Sequence, residues 1–440
     1  MTSTRRAFVL AVLLALSWGY AGPAIAQSAR MQPQEVVETW YNLVLALVRH
    51  TPTYSPPVAS RSLAYLGVTT YEAAAEGTKD LRSLSGQLNG LKTVPHRQPG
   101  QSYDEAVVVQ AAIAAAAKDL FSNTGPTGQR ALAAMETKLR AAVTANQPDD
   151  VVARSEAYGQ SVAAHILTWA KDDGGATIAN MGFPYEYELT PGPSHWVPTS
   201  LISQQQVPLL PNWGKNRTFA MPDGATCPLP APLVYSEEKT SEFYKQAREV
   251  YDTKQNSTEE QRTIARFWSD DPMLSPTPPG HWVSIALQVL EHQHVGLDKT
   301  VETLARLGVV QADAFIGCWN TKFQYDLVRP VTYIHRVIDA KWEPLLITPP
   351  FPEYPSGHST QSAAAATVLT KLFGENFAFE DATRHGDGLA PRKFSSFWAA
   401  AKEAGVSRLY GGIHFRAAIE QGLAQGRCIG AYVNALQTRR

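Results

Sequence analysis

Two long cationic side chains are spaced along segment 319–330 so that they could bind one anion. Lys322 and Arg329 are seven residues apart. That spacing is close to two turns of an α-helix and predicts that both lie on one face, about 10 Å apart along the axis. Side chains of this length can converge on a single oxyanion. The alternative interpretation is a solvated helix face on which Asp326 pairs with Lys322.

A second group of candidate residues stands at the predicted start of a helix. Ser356, Gly357 and His358 precede a run rich in alanine, which favours a helix. Free backbone N–H groups and the positive end of the helix dipole make such a start an anion site. Gly357 permits close approach of the backbone. Ser356 could also be the helix cap, and His358 alone could be a structural histidine.

A third group lies around a turn that contains two adjacent glycines, between Arg408 and His414. A helix is predicted from His414 toward Leu436, so rigid structure would place the imidazole at its start. Small residues recur along this helix at four-residue spacing and predict close packing on a neighbouring helix: Ala418, Gly422, Gly426 and Gly430. Considered alone, the segment could equally be a helix cap with a surface histidine.

The three segments together have the pattern K-x6-R-P, then P-S-G-H, then S-R-x3-G-x-H. This pattern resembles the superfamily of type 2 phosphatidic acid phosphatases and vanadium-dependent haloperoxidases. The match runs from Trp319 to Gly422 and extends more loosely to the N-terminal half. The resemblance implies an all-α, haloperoxidase-like fold of helical bundles with one oxyanion site formed by all three segments.

The resemblance also implies a role for each motif residue. His414 is the apical ligand of the vanadium of a bound vanadate, and His358 is the acid–base group. Cations and helix-end amides suit the equatorial oxygens because they neutralise charge without proton transfer, so the three cations are expected to be catalytic as well. The residues expected to hold the cofactor are Lys322, Arg329, Ser356, Gly357, Arg408 and His414.

Three features favour a haloperoxidase over a phosphatase. The lipid phosphatases of the superfamily are membrane proteins, whereas no later segment here has about 18 consecutive apolar residues, so the mature chain is expected to have no membrane span. The soluble bacterial acid phosphatases are shorter chains. Trp319 and Phe351 resemble the aromatic halide pocket of the fungal chloroperoxidases, where an apolar rim favours a poorly hydrated halide. Core packing is the alternative role for both rings.

The predicted activity is vanadate-dependent oxidation of halide by hydrogen peroxide to a hypohalite-level species, with a small organic molecule as acceptor. Two alternatives stay open: a secreted acid phosphatase that acts through a phosphohistidine at His414, and a non-catalytic oxyanion-binding protein. One position departs from the pattern. Relatives often carry an acidic residue four positions after the last histidine, and here that position is Ala418. Either a different group orients the site instead, with Asp270 and Asp271 as candidates, or the basicity of His414 is altered.

The elements that must position these residues are mostly helical. Apolar residues at helical spacing predict an N-terminal helical region over 27–175 and a C-terminal helical region, which carries the site, over 236–440. Between them, 176–235 is rich in proline and glycine and irregular around 176–233, as in a boundary or a cap over a site. The predicted helices cover 36–48, 103–121, 129–143, 149–169, 237–250, 258–268, 282–292 and 299–319, with a proline-rich loop over 275–280.

The first 26 residues have the features of a signal peptide. Arg5 and Arg6 precede an apolar stretch, and Ala24-Ile25-Ala26 is a small-x-small cleavage signal. The mature chain is therefore expected to begin near Gln27 and to be exported to the periplasm or the medium. The run over 4–10 also resembles a twin-arginine signal, with ordinary secretion as the alternative. A retained membrane anchor is disfavoured because the apolar stretch is short.

The charge balance argues against some partners. The formal net charge is −1 and no long basic run occurs, so there is no electrostatic case for nucleic acid or an anionic membrane. Cys227, Cys318 and Cys428 permit at most one disulfide within the chain, and the sequence leaves open which pair forms it. The sequence predicts no oligomeric state.

Overall fold

A computed structural model describes residues 30–440. The predicted signal peptide over 1–26 lies outside these residues. Thirteen α-helices, four short 3₁₀ helices and one small antiparallel sheet make up the regular structure of the described part of the chain. The all-α class predicted from the sequence is therefore confirmed.

The helices carry the labels α1 to α13 in chain order. They are α1 (Pro33–Arg49), α2 (Pro56–Ala75), α3 (Glu105–Leu120), α4 (Gly125–Thr144), α5 (Asp149–Ala170), α6 (Glu242–Gln255), α7 (Glu259–Phe267), α8 (Thr277–His292), α9 (Leu297–Tyr325), α10 (Pro330–Val337), α11 (Gly357–Phe373), α12 (Phe397–Tyr410) and α13 (Arg416–Asn434). The sheet pairs β1 (Phe379–Asp381) with β2 (Arg392–Phe394).

Every helix predicted from apolar periodicity is present, with shifted bounds. Helix α8 begins inside the predicted proline-rich loop, at Thr277. Pro278 and Pro279 fit there because the first turn of a helix needs no N–H donors. The sequence pattern missed α2, α10 and α12. Helix α2 is buried on almost every side and so has no amphipathic stripe, and α10 is only about two turns long.

The close packing predicted for the small-residue stripe of α13 is observed against α11. A Cβ atom added to Gly426 would lie 2.0 Å from the carbonyl oxygen of Thr360, and one added to Gly422 would lie 2.8 Å from that of Ser356. These distances leave no room for a side chain. Helix α13 therefore approaches α11 at backbone distance, directly below the predicted anion site at the start of α11.

The irregular segment between the helical regions is held to the rest of the protein by backbone hydrogen bonds. Trp196 N–H donates to the carbonyl oxygen of Asp326 at 2.9 Å, and Leu209 N–H donates to that of Pro350 at 2.9 Å. A disulfide between Cys227 and Cys428 links the segment to α13, while Cys318 is a buried free thiol. Residues Met31–Arg440 form one compact unit.

Helices long and apolar enough to cross a bilayer are absent from the described residues. The longest helix, α9, carries buried charged and polar residues along its length, among them Glu302, Arg306 and Asp313.

Candidate active site

Lys322 and Arg329 come together although they do not share a helix. Helix α9 ends at Tyr325, and Asp326 adopts a left-handed backbone with a φ of 47°. Arg329 is the N-cap of α10, because Pro330 disfavours helical backbone at the residue before it. The prediction that Lys322 and Arg329 lie on one helix face is therefore wrong. Both side chains nevertheless donate hydrogen bonds to the same loop, over 351–355. Lys322 does so from the end of α9 and Arg329 from the start of α10.

Lys322 is fully buried and holds that loop in place. Its ammonium group donates to the carbonyl oxygens of Pro352, Glu353 and Pro355 at 2.8, 3.0 and 2.6 Å. An ammonium has three N–H donors, so all of them are used by the loop. Burial lowers the pKa of Lys322 to about 7. Lys322 must exchange one of these carbonyls if it is to contact an oxyanion.

The two arginines each keep a buried N–H group that has no protein acceptor. Arg329 donates to the carbonyl oxygens of Phe351 and Ile413 at 2.8 and 3.0 Å, but its Nη2 has no partner. Arg408 donates from Nη1 to the carbonyl oxygen of Trp268 at 2.6 Å, and its Nε has no partner. Buried donors of this kind are rare in folded proteins and suit an anion.

Burial weakens the protonation of both arginines. It lowers the pKa of Arg329 to about 9 and that of Arg408 to about 10. The buried cations also lower one another's pKa, since Arg408 acts on Arg329 and Arg329 acts on Lys322. A bound anion would relieve this repulsion because it supplies the missing opposite charge.

Ser356 and Gly357 start α11 as predicted. Ser356 is the N-cap, its hydroxyl oxygen accepts from Ser359 N–H at 3.3 Å, and its own N–H donates to the carbonyl oxygen of Ala418 at 3.0 Å. A Cβ atom added to Gly357 would meet nothing closer than Trp319, at 3.9 Å. Glycine at this position therefore leaves space free beside the helix start, where a side chain would otherwise stand.

His414 is oriented by Glu353, a residue that the sequence analysis did not single out. Nδ1 of His414 lies 2.9 Å from Oε1 of Glu353, which also accepts from Phe415 N–H at 2.8 Å. Because Oε1 is the acceptor, Nδ1 carries the proton and Nε2 presents a lone pair. A different group thus orients His414, as one of the two alternatives expected, but it is Glu353 and neither of the candidates Asp270 and Asp271. Glu353 is an acidic residue in the proline-rich run before Ser356, and that position is the sequence signal that could have identified it.

The environment keeps His414 neutral. Burial, followed by the charges of Arg329 and Lys322, lowers the pKa of His414 well below its usual range. Nε2 of the ring lies 3.2 Å from Nη1 of Arg329. Burial also raises the pKa of Glu353 to about 7, against the opposing effect of Arg329 and Lys322. His414 therefore offers an unprotonated nitrogen to a metal or to phosphorus at neutral pH.

His358 is the second buried histidine of the site, and Asp270 lies beside it. Nε2 of His358 is 3.6 Å from Oδ2 of Asp270, beyond hydrogen-bond distance. Burial and the charge of Arg408 lower the pKa of His358 to about 4, and Asp270 opposes them. The ring is therefore neutral at pH 7 and able to accept a proton.

The rings of Trp319 and Phe351 contact one another. Their ring centres are 4.9 Å apart at an angle of 51°, and the Trp319 indole N–H donates to the carbonyl oxygen of Leu209 at 3.2 Å. The Lys322 ammonium lies 5.2 Å and the Arg329 guanidinium 5.0 Å from the Phe351 ring centre. Both rings pack in the protein and also line a cavity.

A cavity of about 460 Å³ opens above these residues. Its inner wall is formed by site residues: Trp319, Phe351, Gly357, His358, Arg408 and His414. The irregular segment supplies another wall of the cavity: Met181, Phe183, Ile202, Gln204, Gln205 and Leu209. Lys322, Arg329 and Ser356 stand behind the inner wall. All seven motif residues thus lie in one region.

The fold and the site define an all-helical protein in which buried arginine N–H groups without a protein acceptor lie near a neutral, oriented histidine. A family model described as the VCPO second helical-bundle domain matches residues 302–440. The crystal structure of the first bacterial vanadium-dependent iodoperoxidase is 37% identical, with a TM-score of 0.83, over 92% of this chain and 97% of that one. This chain belongs to the family of the vanadium-dependent haloperoxidases.

Two further crystal structures share the fold at lower identity. The holo-type bacterial vanadium-dependent chloroperoxidase is 16% identical, with a TM-score of 0.68, over 88% of this chain and 93% of that one. The apo-type bacterial vanadium-dependent chloroperoxidase is 15% identical, with a TM-score of 0.64, over 92% and 94%. No curated protein sequence matches the chain.

Proposed function

We propose that this protein is a vanadate-dependent haloperoxidase that oxidises halide with hydrogen peroxide to a hypohalite-level species. The observation that carries the proposal is the pairing of a neutral His414, whose Nε2 lone pair is free of a proton, with buried arginine donors that have no protein acceptor. A site of this kind suits a tetrahedral oxyanion whose central atom accepts a nitrogen ligand.

The chemistry of the donor set fits vanadate. Nε2 of His414 would be the metal ligand, because Nδ1 is committed to Glu353. Arg329 and Arg408 would hold oxygens through their unpartnered N–H groups. Gly357 would do so through backbone N–H at the start of α11, and the free space beside it leaves room for the anion. The Ser356 hydroxyl can donate, since its oxygen accepts from Ser359.

Vanadate, when bound, supplies a Lewis-acid centre that activates hydrogen peroxide without changing its own oxidation state. The neutral His358 ring would act as the acid–base group, able to accept a proton from the peroxide and to return it later. Asp270, 3.6 Å away, stabilises the imidazolium that forms in between. The positive charges of Arg329 and Arg408 stabilise the negative charge that develops beside them.

We infer that iodide is the halide to test first. Large halide ions are poorly hydrated, so moving one beside the rings of Trp319 and Phe351 costs little, and Lys322 and Arg329 lie within about 5 Å of the Phe351 ring centre. Iodide is also the most easily oxidised of the common halides. The similarity to a bacterial iodoperoxidase supports this choice.

The final acceptor is proposed to be an apolar organic molecule that enters the cavity. The cavity volume of about 460 Å³ is within the range of ordinary ligand pockets. Peroxide and halide would fill only a small part of it. Apolar side chains stand exposed on the cavity wall, with Ile202 57%, Leu274 60% and Ile347 75% exposed. An apolar acceptor would cover them and meet the hypohalite-level product where it forms.

The test is a paired assay on the purified protein. Iodide oxidation with peroxide is measured with and without added vanadate, and phosphomonoester hydrolysis is measured without vanadate. The proposal expects vanadate-dependent iodide oxidation and little hydrolysis. Hydrolysis alone would assign the chain to phosphatase chemistry through His414, and vanadate binding without either reaction would make it an oxyanion-binding protein.

Export is also proposed. The signal peptide over 1–26 predicts it, and the disulfide between Cys227 and Cys428 supports it because such bonds persist in oxidising compartments. Mass spectrometry of protein from the native host should find an N-terminus near Gln27. Replacing both Arg5 and Arg6 by lysine should block export if the twin-arginine route is used and leave it unchanged if secretion is ordinary.

A further inference from the structure

Behind the active site, a histidine is enclosed between two aspartates. Nδ1 of His281, on α8, lies 2.8 Å from Oδ1 of Asp270, and Nε2 lies 2.9 Å from Oδ2 of Asp381. All three side chains are at most 1% exposed. A carboxylate oxygen only accepts hydrogen bonds, so both ring nitrogens carry hydrogen. His281 is therefore held as an imidazolium between two carboxylates.

The surroundings of His281 agree with a permanent charge. Burial lowers the pKa of His281, but Asp270 and Asp381 raise it more strongly, to about 10. The Trp268 ring stacks on the imidazole with 4.6 Å between ring centres. Asp381 also accepts from Thr383 N–H at 3.0 Å and from its hydroxyl at 2.7 Å. The aspartates thus have the partners that buried carboxylates require.

The other charged groups near Asp270 form a continuous network. Arg384 donates to Oδ1 of Asp270 at 3.1 Å and to Asp387 at 2.7 Å. Asp387 in turn accepts from Arg49 at 2.6 Å. On the cavity side, Asp271 and Arg408 act electrostatically on one another and on Asp270. Asp270 is thereby anchored from behind by groups that do not line the cavity.

Anchoring of one oxygen decides where the other points. Oδ1 of Asp270 is occupied by His281 and Arg384, which leaves Oδ2 to face Nε2 of His358 at 3.6 Å. The backbone of Asp270 has a φ of 50°, a left-handed conformation that a non-glycine residue keeps only when its surroundings hold it. The position of the carboxylate beside His358 is thus set by contacts on its far side.

We propose that His281 and Asp381 are positioning residues for the proton transfer at His358: the enclosed imidazolium fixes an ionised Asp270 and aims its free oxygen at the acid–base histidine. The inference rests on the proposed function, because that function assigns the proton transfer to His358. Asp381 is included in the proposal because its carboxylate binds the imidazolium from the side opposite Asp270. Neither residue touches the reacting atoms.

The experiment compares His281→Gln and Asp381→Asn with the parent enzyme. The first variant keeps an amide able to donate toward Asp270 but removes the charge, and the second is close to isosteric. Activity is expressed per site that binds vanadate, so a loss of folded protein does not lower it. We expect kcat to fall about 10- to 100-fold, because mutation of residues that support an active group from outside typically has an effect of this size. The vanadate Kd and the halide KM should stay near parental values.

Asp173→Asn provides a matched control. Asp173 is also buried and bonded to a cation, with Oδ2 2.6 Å from Nε of Arg61 and 2.8 Å from the Tyr65 hydroxyl, but it does not line the site cavity. This variant should have parental kcat even if its stability falls. A purely structural role of His281 would make the test variants behave in the same way.

A second measurement reports the charge of His281 without any activity. In protein labelled with ¹⁵N-histidine and free of vanadate, one ring should be protonated at both nitrogens at pH 8, and its signal should be missing in His281→Gln. Absence of such a signal in the parent overturns the proposal. So does parental kcat in both test variants, or a loss of vanadate affinity equal to the loss of kcat.

The failure of this inference can be told apart from that of the proposed function. A parent protein without vanadate-dependent halide oxidation overturns the proposed function and this inference with it. An active parent whose test variants turn over at the parental rate overturns the inference alone.

Discussion

His414 donates from Nδ1 to Oε1 of Glu353 over 2.9 Å, and this bond fixes which ring nitrogen is available for chemistry. The same oxygen accepts from Phe415 N–H, so the carboxylate is tied to the backbone next to the histidine as well. The arrangement takes the place of an acid on α13, where Ala418 stands. It also joins the loop before α11 to the turn before α13.

Removing the charge of Glu353 should weaken vanadate binding. In Glu353→Gln the hydrogen bond to Nδ1 can persist, but the ring becomes less basic, so vanadate affinity is expected to fall about 10- to 100-fold. Vanadate titration of the purified variant measures this. Glu72→Gln is the control, since Glu72 is a buried acid that accepts from Ser83 and Leu84 away from the site. Equal affinities in both variants would contradict the assigned role.

The two histidines should be separable by mutation. His414→Ala should lose tight vanadate retention and activity together, because it removes the nitrogen ligand. His358→Ala should keep most of the vanadate affinity but lose about 100- to 10,000-fold in halide oxidation, the usual contribution of general acid–base catalysis. Vanadate titration beside an iodide oxidation assay measures both effects. The reverse pattern would exchange the two roles, and parental activity in both variants would end the haloperoxidase assignment.

The rate should depend on pH through His358. Its pKa of about 4 lies below the ordinary value for histidine, so the ring is a base above pH 4 and is protonated below it. We expect kcat/KM for peroxide to fall as the pH drops through about 4 and to be independent of this group at higher pH. The acid limb should be missing from the residual activity of His358→Ala. An acid limb near pH 6.5 in the parent would contradict the lowered pKa.

Two glycines should respond oppositely to the same substitution. Gly357→Ala places a Cβ atom at ordinary van der Waals distance, 3.9 Å from its nearest neighbour, so the variant should fold with parental stability but bind vanadate more weakly. Gly426→Ala places a Cβ atom 2.0 Å from the carbonyl oxygen of Thr360 and should lower the melting temperature. Thermal unfolding and vanadate titration of both variants test the pair. A destabilised Gly357→Ala with normal vanadate affinity would contradict the assigned role of this glycine.

Reduction of the disulfide should destabilise the fold. Cys227 and Cys428 are 201 residues apart, so the bond restricts the unfolded chain strongly, and its loss typically costs about 2–4 kcal/mol. Urea unfolding of Cys428→Ser beside the parent measures the difference. In the denatured, non-reduced parent, a thiol assay should detect only Cys318. Three reactive thiols would show that the disulfide is absent.

The sequence was sufficient for the helical class, and the types and order of the motif residues identified seven positions that the structure brings into one region. It did not predict the path between Lys322 and Arg329, because the left-handed turn at Asp326 has no strong local signature. Helix α2 was missed because complete burial removes the amphipathic pattern. Partners such as Glu353 with His414, or Asp381 with His281, join residues 61 and 100 positions apart, and spacing alone does not reveal such pairs.

The bond between Glu353 and His414 also bears on how members of this family are recognised. An acid that orients the ligand histidine can stand on the helix that follows the histidine or on the loop that precedes the serine–glycine pair, and the imidazole receives the same support from either side. In this chain the acid precedes the histidine by 61 residues. A search signature that requires the acid on the helix would reject this chain, although its histidine is fully supported.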